Sequence, residues 1–332
     1  MKSIAARAIQ ASASALFLAF FGVSALAQAP SASGYPTKPI RLVVPFTPGG
    51  STDVLARAIG QELTMAWGQS VVVENVPGAG GAIGADKVAK AAPDGYTLMV
   101  SPASFLTTNK SIWKALPYNP ETDFTPITKL VNQPMVLVVR DKSRFATPAD
   151  VLAAAKANPG KLTYASSGDG SPQHLAGLMF TNRTGVEMLH VPYKGGAPAI
   201  TDLMGGVVDM AFSPLPEALP HIKAGKLHPV GILSDKRAST APDIPTLKEG
   251  GVNNVVLSAW IGLLAPAKTP QPVIDKLNQS VKTMLHSPDM KAKLQEAGME
   301  SAVDEAKPLQ QVISEEIKIH AELVKAAGLV PQ

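Results

Sequence analysis

Apolar residues follow two alternating patterns along this chain. Ile40-Arg41-Leu42-Val43-Val44 and Val71-Val72-Val73 are short β-branched runs that read as buried strands, and between them Val54, Leu55, Ala58, Ile59 and Leu63 recur at helical spacing. A second helical run holds Ile83, Ala85 and Val88, and the turn Pro93-Asp94-Gly95 leads into the strand Tyr96 to Val100. From Pro134 the run Met135 to Val139 is again a strand. Thr147-Pro148-Ala149-Asp150 then opens a helix with a cap residue, a first-turn proline and an acid suited to the positive helix end.

The alternation continues through strand Leu162 to Ala165, a helix holding Leu175, Leu178 and Met179, strand Val186 to Val191, a helix holding Ile200 and Leu203, and strand Val207 to Phe212. Val255 to Leu264 reads as a further strand. Two amphipathic helices finish the chain, one holding Val273, Ile274, Leu277, Val281 and Leu285, the other Val312, Ile313, Ile317 and Val324. Repeated βαβ units predict an α/β fold with mainly parallel sheets flanked by helices. Roughly 305 residues beyond the leader exceed what one core organises, so two lobes are expected. The expected division is lobe 1 over 35–135, lobe 2 over 136–254, and a return to lobe 1 over 255–332, whose two crossings would form a hinge.

The N-terminus changes the picture of where the protein works. Lys2 and Arg7 precede the apolar run Ala15 to Val23, and Ala25-Leu26-Ala27 supplies small residues at a cleavage spacing. This predicts a secretory signal peptide over 1–27, cleaved after Ala27, and a flexible leader over 28–34. The apolar core is shorter than the roughly 20 residues a membrane-spanning helix needs. The chain has no cysteine, which excludes disulfides and a lipid-bearing N-terminal cysteine. A net charge of +4 falls to +2 without Lys2 and Arg7 and is spread along the chain, so no nucleic-acid footprint is present. A free, monomeric periplasmic protein is expected.

Candidate chemistry lies in loops that follow strands. Phe46-Thr47-Pro48-Gly49-Gly50-Ser51-Thr52-Asp53 joins a strand to a helix. Its glycines let a ligand approach the backbone, and the first-turn N–H groups and hydroxyls can hold an anion. The pattern recurs at Ser166-Ser167-Gly168-Asp169-Gly170-Ser171-Pro172 and at Tyr193-Lys194-Gly195-Gly196. Each loop alone also reads as an ordinary tight turn; three of them at strand ends point to a ligand cleft. Asp53 suits loop bracing as well as ligand contact. His174 can donate to a carboxylate or stay solvated, and Lys194 is either the site's cation or a surface lysine.

Other motifs fail on spacing. Gly78, Gly80 and Gly84 give G-x-G-x-x-x-G, which is not the dinucleotide fingerprint, and read as a turn for close helix packing. Ser111-Ile112-Trp113-Lys114 matches the S-x-x-K of penicillin-recognising enzymes, but S-D-N and K-T-G are absent, leaving an exported serine hydrolase as a poor alternative. The histidines are scattered, so neither metal nor cofactor is expected.

Taken in order, these motifs resemble the tripartite tricarboxylate transporter receptors, or Bug-type solute-binding proteins, from Tyr35 to about Gly328. The likeness is carried by Pro39 to Phe46, Pro48 to Asp53, Val73-Glu74-Asn75 with Pro77 to Gly81, and Ala92 to Leu98. Further on it rests on Ala157 to Leu162, Gln173 to Gly177, His190 to Gly195 and Leu219 to Gly225. The resemblance implies a two-lobed, Venus-flytrap periplasmic binding protein, not an enzyme. Such a protein closes on a di- or tricarboxylate, aromatic acid or amino acid and delivers it to membrane transporter subunits. An exported sensor presenting the acid to a membrane kinase would use the same fold. Family binding loops map to Phe46 through Asp53, Ser101 to Ser104, Ser166 through Ser171 with His174, and Tyr193-Lys194. Two departures stand out. Phe212-Ser213-Pro214 replaces Phe-Asp-Asn, removing a carboxylate from the expected pocket wall around Ser213 and disfavouring an ammonium-bearing ligand. Pro102 removes an N–H donor from the Ser101 loop.

Overall fold

The computed structural model describes residues 34–140, 142, 144–303 and 308–326; the expected signal peptide and leader residues 28–33 lie outside them. The first part of the chain forms β1 (Ile40–Val44), α1 (Ser51–Trp67), β2 (Val71–Asn75), α2 (Ala82–Ala89), β3 (Thr97–Pro102) and the short α3 (Ser104–Thr107) and α4 (Asn109–Ile112). Next come β4 (Phe124–Val139), α5 (Pro148–Ala157), β5 (Thr163–Ser166), α6 (Pro172–Thr184), β6 (Leu189–Pro192), α7 (Gly196–Gly205), β7 (Met210–Pro214), α8 (Leu215–Lys223) and β8 (His228–Ile232). The last part holds β9 (Ser258–Pro266), α9 (Gln271–Leu285), α10 (Pro288–Glu296), β10 (Glu300–Ser301) and α11 (Leu309–Ala326).

The strands follow the order β2-β1-β3-β9-β4-β7-β5-β6, with β8 and β10 also pairing β4. Within each lobe the βαβ units are parallel: β1 with β2 and β3, and β5 with β6 and β7. The parallel expectation is refined at the crossings. The chain leaves one lobe along β4 and returns along β9, so these strands run in opposite directions and every pairing of β4 is antiparallel.

Strand β4 serves both lobes. Residues 124–134 pair with β9, and from Met135 the partners become β7 and β8. Pro134, which has no N–H to donate, stands where the partner changes, a position in a long strand that tolerates proline. The sequence pattern shows only the second segment, because prolines and polar residues between Phe124 and Pro134 conceal the alternation. On both sides of the switch the strand is covered by helices. Val136 and Val138 pack into the core beneath α7 and α8, while Leu137 and Val139 face Tyr164, Phe180 and Phe212. Lobe 1 repeats the arrangement, with Leu42 and Val44 against α1 and α9 and Val43 against Trp260 and α11.

Two local expectations shift, and one helix forms that the pattern did not signal. Val54 and Ile83 are 50% and 53% exposed, and α1 instead buries Leu55, Ala56, Ile59 and Leu63. Helix α8 forms despite Pro220 within it. β9 begins at Ser258 rather than Val255.

Helix α11 ties the chain's end to both lobes. Val324 packs with Ile112 and Leu175, and the His320 Nδ1 lies 2.9 Å from the Thr107 hydroxyl and 3.0 Å from that of Thr108. Burial pushes the His320 pKa down to about 4.

Two predictions follow from this packing. A Cβ at Gly177 would lie 2.2 Å from the buried Tyr164 ring. Gly177→Ala should therefore lose about 1–2 kcal/mol in urea unfolding, since overpacking outweighs the roughly 1 kcal/mol helix gain. Between pH 6.5 and about 4 the unfolded chain protonates His320 and the folded chain does not. Stability is thus fully present above pH 6.5 and lost on acidification, on the order of 2 kcal/mol from pH 7 to 4.5. His320→Gln should show a smaller drop in urea midpoint across that range.

Candidate functional site

The β1–α1 loop builds half of a cradle. Gly50 occupies the N-cap of α1 in an extended conformation with no side-chain cap, so the first-turn N–H groups face outward. Asp53 does not occupy them. Its carboxylate accepts from Gly49 N–H at 3.0 Å, Arg57 Nε at 3.0 Å and Asn75 Nδ2 at 2.9 Å. Burial favours its protonated form, but the bonds from Arg57, Gly49 and Asn75 prevail and hold its pKa below the usual carboxylate value. Asp53 is therefore the brace that shapes the loop, and Asn75, which also donates to Phe46 O at 3.1 Å, completes it.

The opposite lobe supplies a matching helix end. Gly195 caps α7 at φ 146° and again provides no side chain. Between the two helix ends lies Glu217, in the first turn of α8. Its carboxylate accepts from Ser51 N–H at 3.4 Å, Ser51 Oγ at 3.2 Å and Gln173 Nε2 at 3.5 Å. It packs so closely on Gly196 that a Cβ there would lie 1.9 Å from Oε2. Desolvation pushes the Glu217 pKa up, opposed by the bonds from Ser51 and Gln173.

Together these groups enclose a cavity of about 30 Å³ between the lobes, lined by Phe46, Thr47, Gly50, Ser51, Thr52 and Asp53 on one side. Pro102 and Gln133 border it, and Ser167, Pro172, Gln173, Gly195, Gly196, Pro214 and Glu217 close the other side. That space is enough for about one water molecule. Among the described residues, no lysine or arginine lines it. Gln133 is buried, and its Nε2 has no hydrogen-bond partner among the described residues.

The expected site residues fall in five places. Phe46, Thr47, Gly50, Ser51, Asp53 and Ser167 line the cavity. Thr47, Tyr193 and Lys194 line an outer mouth of about 380 Å³ with Gly78 to Gly81. There the Thr47 hydroxyl donates to Lys194 O across the lobes at 3.4 Å, the lysine side chain is exposed, and Tyr193 donates to Asp202 at 2.7 Å. Gly49 faces a separate groove beyond Glu217. Ser101 and Ser104 are buried outside the cavity, whose wall is formed by Pro102. Ser213 is likewise buried, its hydroxyl donating to Pro214 O at 3.1 Å, and Pro214 is the residue that lines.

Ser166, Asp169, Gly170, Ser171 and His174 do not line the cavity, and Asp169 and His174 instead line a separate pocket of about 450 Å³ with Tyr164 and His190. Ser171 caps α6 by accepting from His174 N–H at 3.2 Å, and Gly170 N–H donates to His174 Nδ1 at 3.2 Å. The His174 and His190 rings stack 3.9 Å apart and 5° from parallel, with Ser166 Oγ 2.6 Å from His190 Nε2. Desolvation lowers His174 to about 4 and His190 to about 3, so both are neutral at physiological pH. With Asp169 they form a cluster dense enough for a metal ion. The stacking opposes one: lone pairs lie in the ring planes, and parallel rings cannot aim theirs at one ion. Ser111 lies in α4 with Lys114 exposed beyond it, in neither the cavity nor the mouth.

Gln133, Gln173 and Glu217 escaped the sequence reading. Gln173 adjoins His174 in a helix start already recognised, and Glu217 follows Pro214-Leu215-Pro216 after a strand, an acid in a proline-marked first turn. Gln133 carries no local signal. Glu217 also corrects the expectation that this wall has lost its carboxylate at Ser213-Pro214.

Residues 55–329 match the family described as "Tripartite tricarboxylate transporter family receptor". Among solved structures, Rpa4515 of R. palustris with adipate shares 36% identity at a TM-score of 0.85, covering 90% of this chain and 100% of that one. The periplasmic binding protein BugD shares 37% at 0.84 with coverage of 90% and 100%. MatC of Rhodopseudomonas palustris with bound malate shares 32% at 0.82 with coverage of 87% and 100%. A periplasmic-binding-protein fold and a cleft between two lobes agree with that match: this chain belongs to the tripartite tricarboxylate transporter receptor family of non-enzymatic solute-binding proteins.

Proposed function

We propose that this chain is a periplasmic receptor that captures a small organic acid, a dicarboxylate first among them, and hands it to the membrane subunits of a tripartite tricarboxylate-type transporter. The observation that carries the reading is the convergence of two uncapped helix starts, at Ser51 and Gly196, on an enclosed carboxylate with no cation in the wall. Helix dipoles, backbone N–H groups and hydroxyls suit a carboxylate. Each neutral bond contributes on the order of 1 kcal/mol, which makes for reversible capture suited to delivery. The unpartnered Gln133 amide offers a further donor to an acid spanning the cleft. Adipate and malate in the relatives' structures are acids of the proposed class.

The signal peptide over 1–27, cleaved after Ala27, would place the receptor in the periplasm. Lobes over 35–135 with 255–332 and over 136–254 would close about the crossings β4 and β9. Tyr193 and Lys194 at the mouth would meet the distal end of the acid.

Thermal unfolding with dicarboxylates, tricarboxylates, aromatic acids and amino acids tests the ligand class. A ligand at 100 times its Kd should stabilise the chain by about 2.7 kcal/mol. No shift across the acids would defeat the proposal. Gly50 has an ordinary extended backbone, and its Cβ would face Glu217 Oε1 at 3.6 Å. Gly50→Val should therefore fold and melt normally while losing at least a hundredfold in affinity; unchanged affinity would move the site. Co-purification with two membrane subunits of a transporter checks delivery, and capture of a membrane kinase instead would replace that half of the reading.

A further inference from the structure

Among the described residues, the cavity is bordered by two carboxylates and no cation. Asp53 is neutralised by Arg57 and also accepts from Gly49 N–H of its own loop and from Asn75 at the end of β2. Glu217 has no such partner: it is held by neutral donors, and the Ser51 N–H and hydroxyl it occupies are those a ligand carboxylate needs. We propose that Glu217 is a built-in occupant of the carboxylate cradle, which an incoming acid must displace, making this side chain a determinant of which acids are retained. The inference rests on the cleft being the ligand site, as proposed above.

Four observations carry it. With Glu217 in place, only about 30 Å³ remains between the two helix ends, so a ligand carboxylate reaches the Ser51 donors only if Glu217 moves aside. Two carboxylates sharing this wall would repel one another with no cation between them, and the elevated pKa of Glu217 expresses the same cost for a single charge. The side chain also has somewhere to go. Its other flank borders an open groove of about 330 Å³ lined by Val54, Ala197, Thr201, Pro220 and His221. His221 lies four residues on along α8, so rotation about the Glu217 side-chain bonds carries the carboxylate out of the cleft toward an imidazole on the same helix face. Gln133, buried and unpartnered at the cavity, is a donor that Glu217 does not satisfy and a longer acid can.

The consequence is selectivity by exchange. A short monocarboxylate trades places with Glu217 like for like and gains little. A dicarboxylate that also engages Gln133 and the far wall gains contacts that Glu217 does not have. The chain should accordingly discriminate strongly against acetate, and removing Glu217 should erase much of that discrimination.

The experiment is calorimetric titration of the wild type, Glu217→Ala and Glu217→Gln with acetate, adipate and malate at one pH, with melting curves for each variant. Displacement predicts that Glu217→Ala binds acetate at least tenfold more tightly than the wild type, and adipate or malate no less tightly. Glu217→Gln, which still fills the cradle but carries no charge, should fall between. Weaker binding of adipate and malate by both variants would make Glu217 a ligand partner and overturn the proposal, as would failure of both to improve on the wild type for acetate. Gly50→Val separates the two levels. If it leaves adipate and malate binding intact, the cleft assignment itself has failed; if it abolishes binding while the Glu217 variants show no gain, only the displacement idea has.

Discussion

The constraint behind this site is that the first N–H groups of a helix have no partner within the helix. At Gly50 and Gly195 the chain provides glycine where serine, threonine or asparagine would ordinarily close the helix start with a side chain. The donors of α1 are left to whatever carboxylate enters the cleft, while the dipoles of α1 and α7 favour its charge from opposite lobes. Because the helix ends belong to different lobes, the group that satisfies them also holds the lobes together. In the reading proposed above, binding and closure are thereby one event.

Much of the remaining architecture serves to present those donors. Asp53 has the charge to intrude on the anion site, yet Arg57, Asn75 and Gly49 turn it back into its loop. His174 and His190, stacked and neutral, brace the Ser166 to Ser171 loop from behind. Strand β4 carries Gln133 to the cavity just before Pro134, where its partner changes from β9 to β7 and β8. A donor at the crossing point between lobes is well placed to sense a ligand that draws them together.

The role of Glu217 follows from the same economy of donors. An enclosed carboxylate with only neutral partners is a poor permanent arrangement, and it stands on the atoms that a ligand of this family would claim. Loss of the wall carboxylate at Ser213-Pro214 is answered one helical turn later by an acid reached through a different backbone path. The acid of this wall is thereby supplied from the first turn of α8 rather than from the end of β7.

The sequence by itself determined the βαβ alternation, the glycine-rich strand ends, the bracing option for Asp53 and the family resemblance, because each is encoded by residues close together in the chain. Periodicity, caps and glycine turns are local physics. Tertiary structure alone decided that Ser101, Ser104, Ser166 and Ser213 stand outside the cavity while Gln133, Gln173 and Glu217 line it. It also decided that β4 begins at Phe124 and runs antiparallel to its partners. Those outcomes depend on which segments meet across more than a hundred residues, as Ser51 and Glu217 do, and on which face of a strand is left to line the gap. No local pattern carries that information, since a serine at a strand end has the same neighbours in sequence whether it faces a ligand or the core.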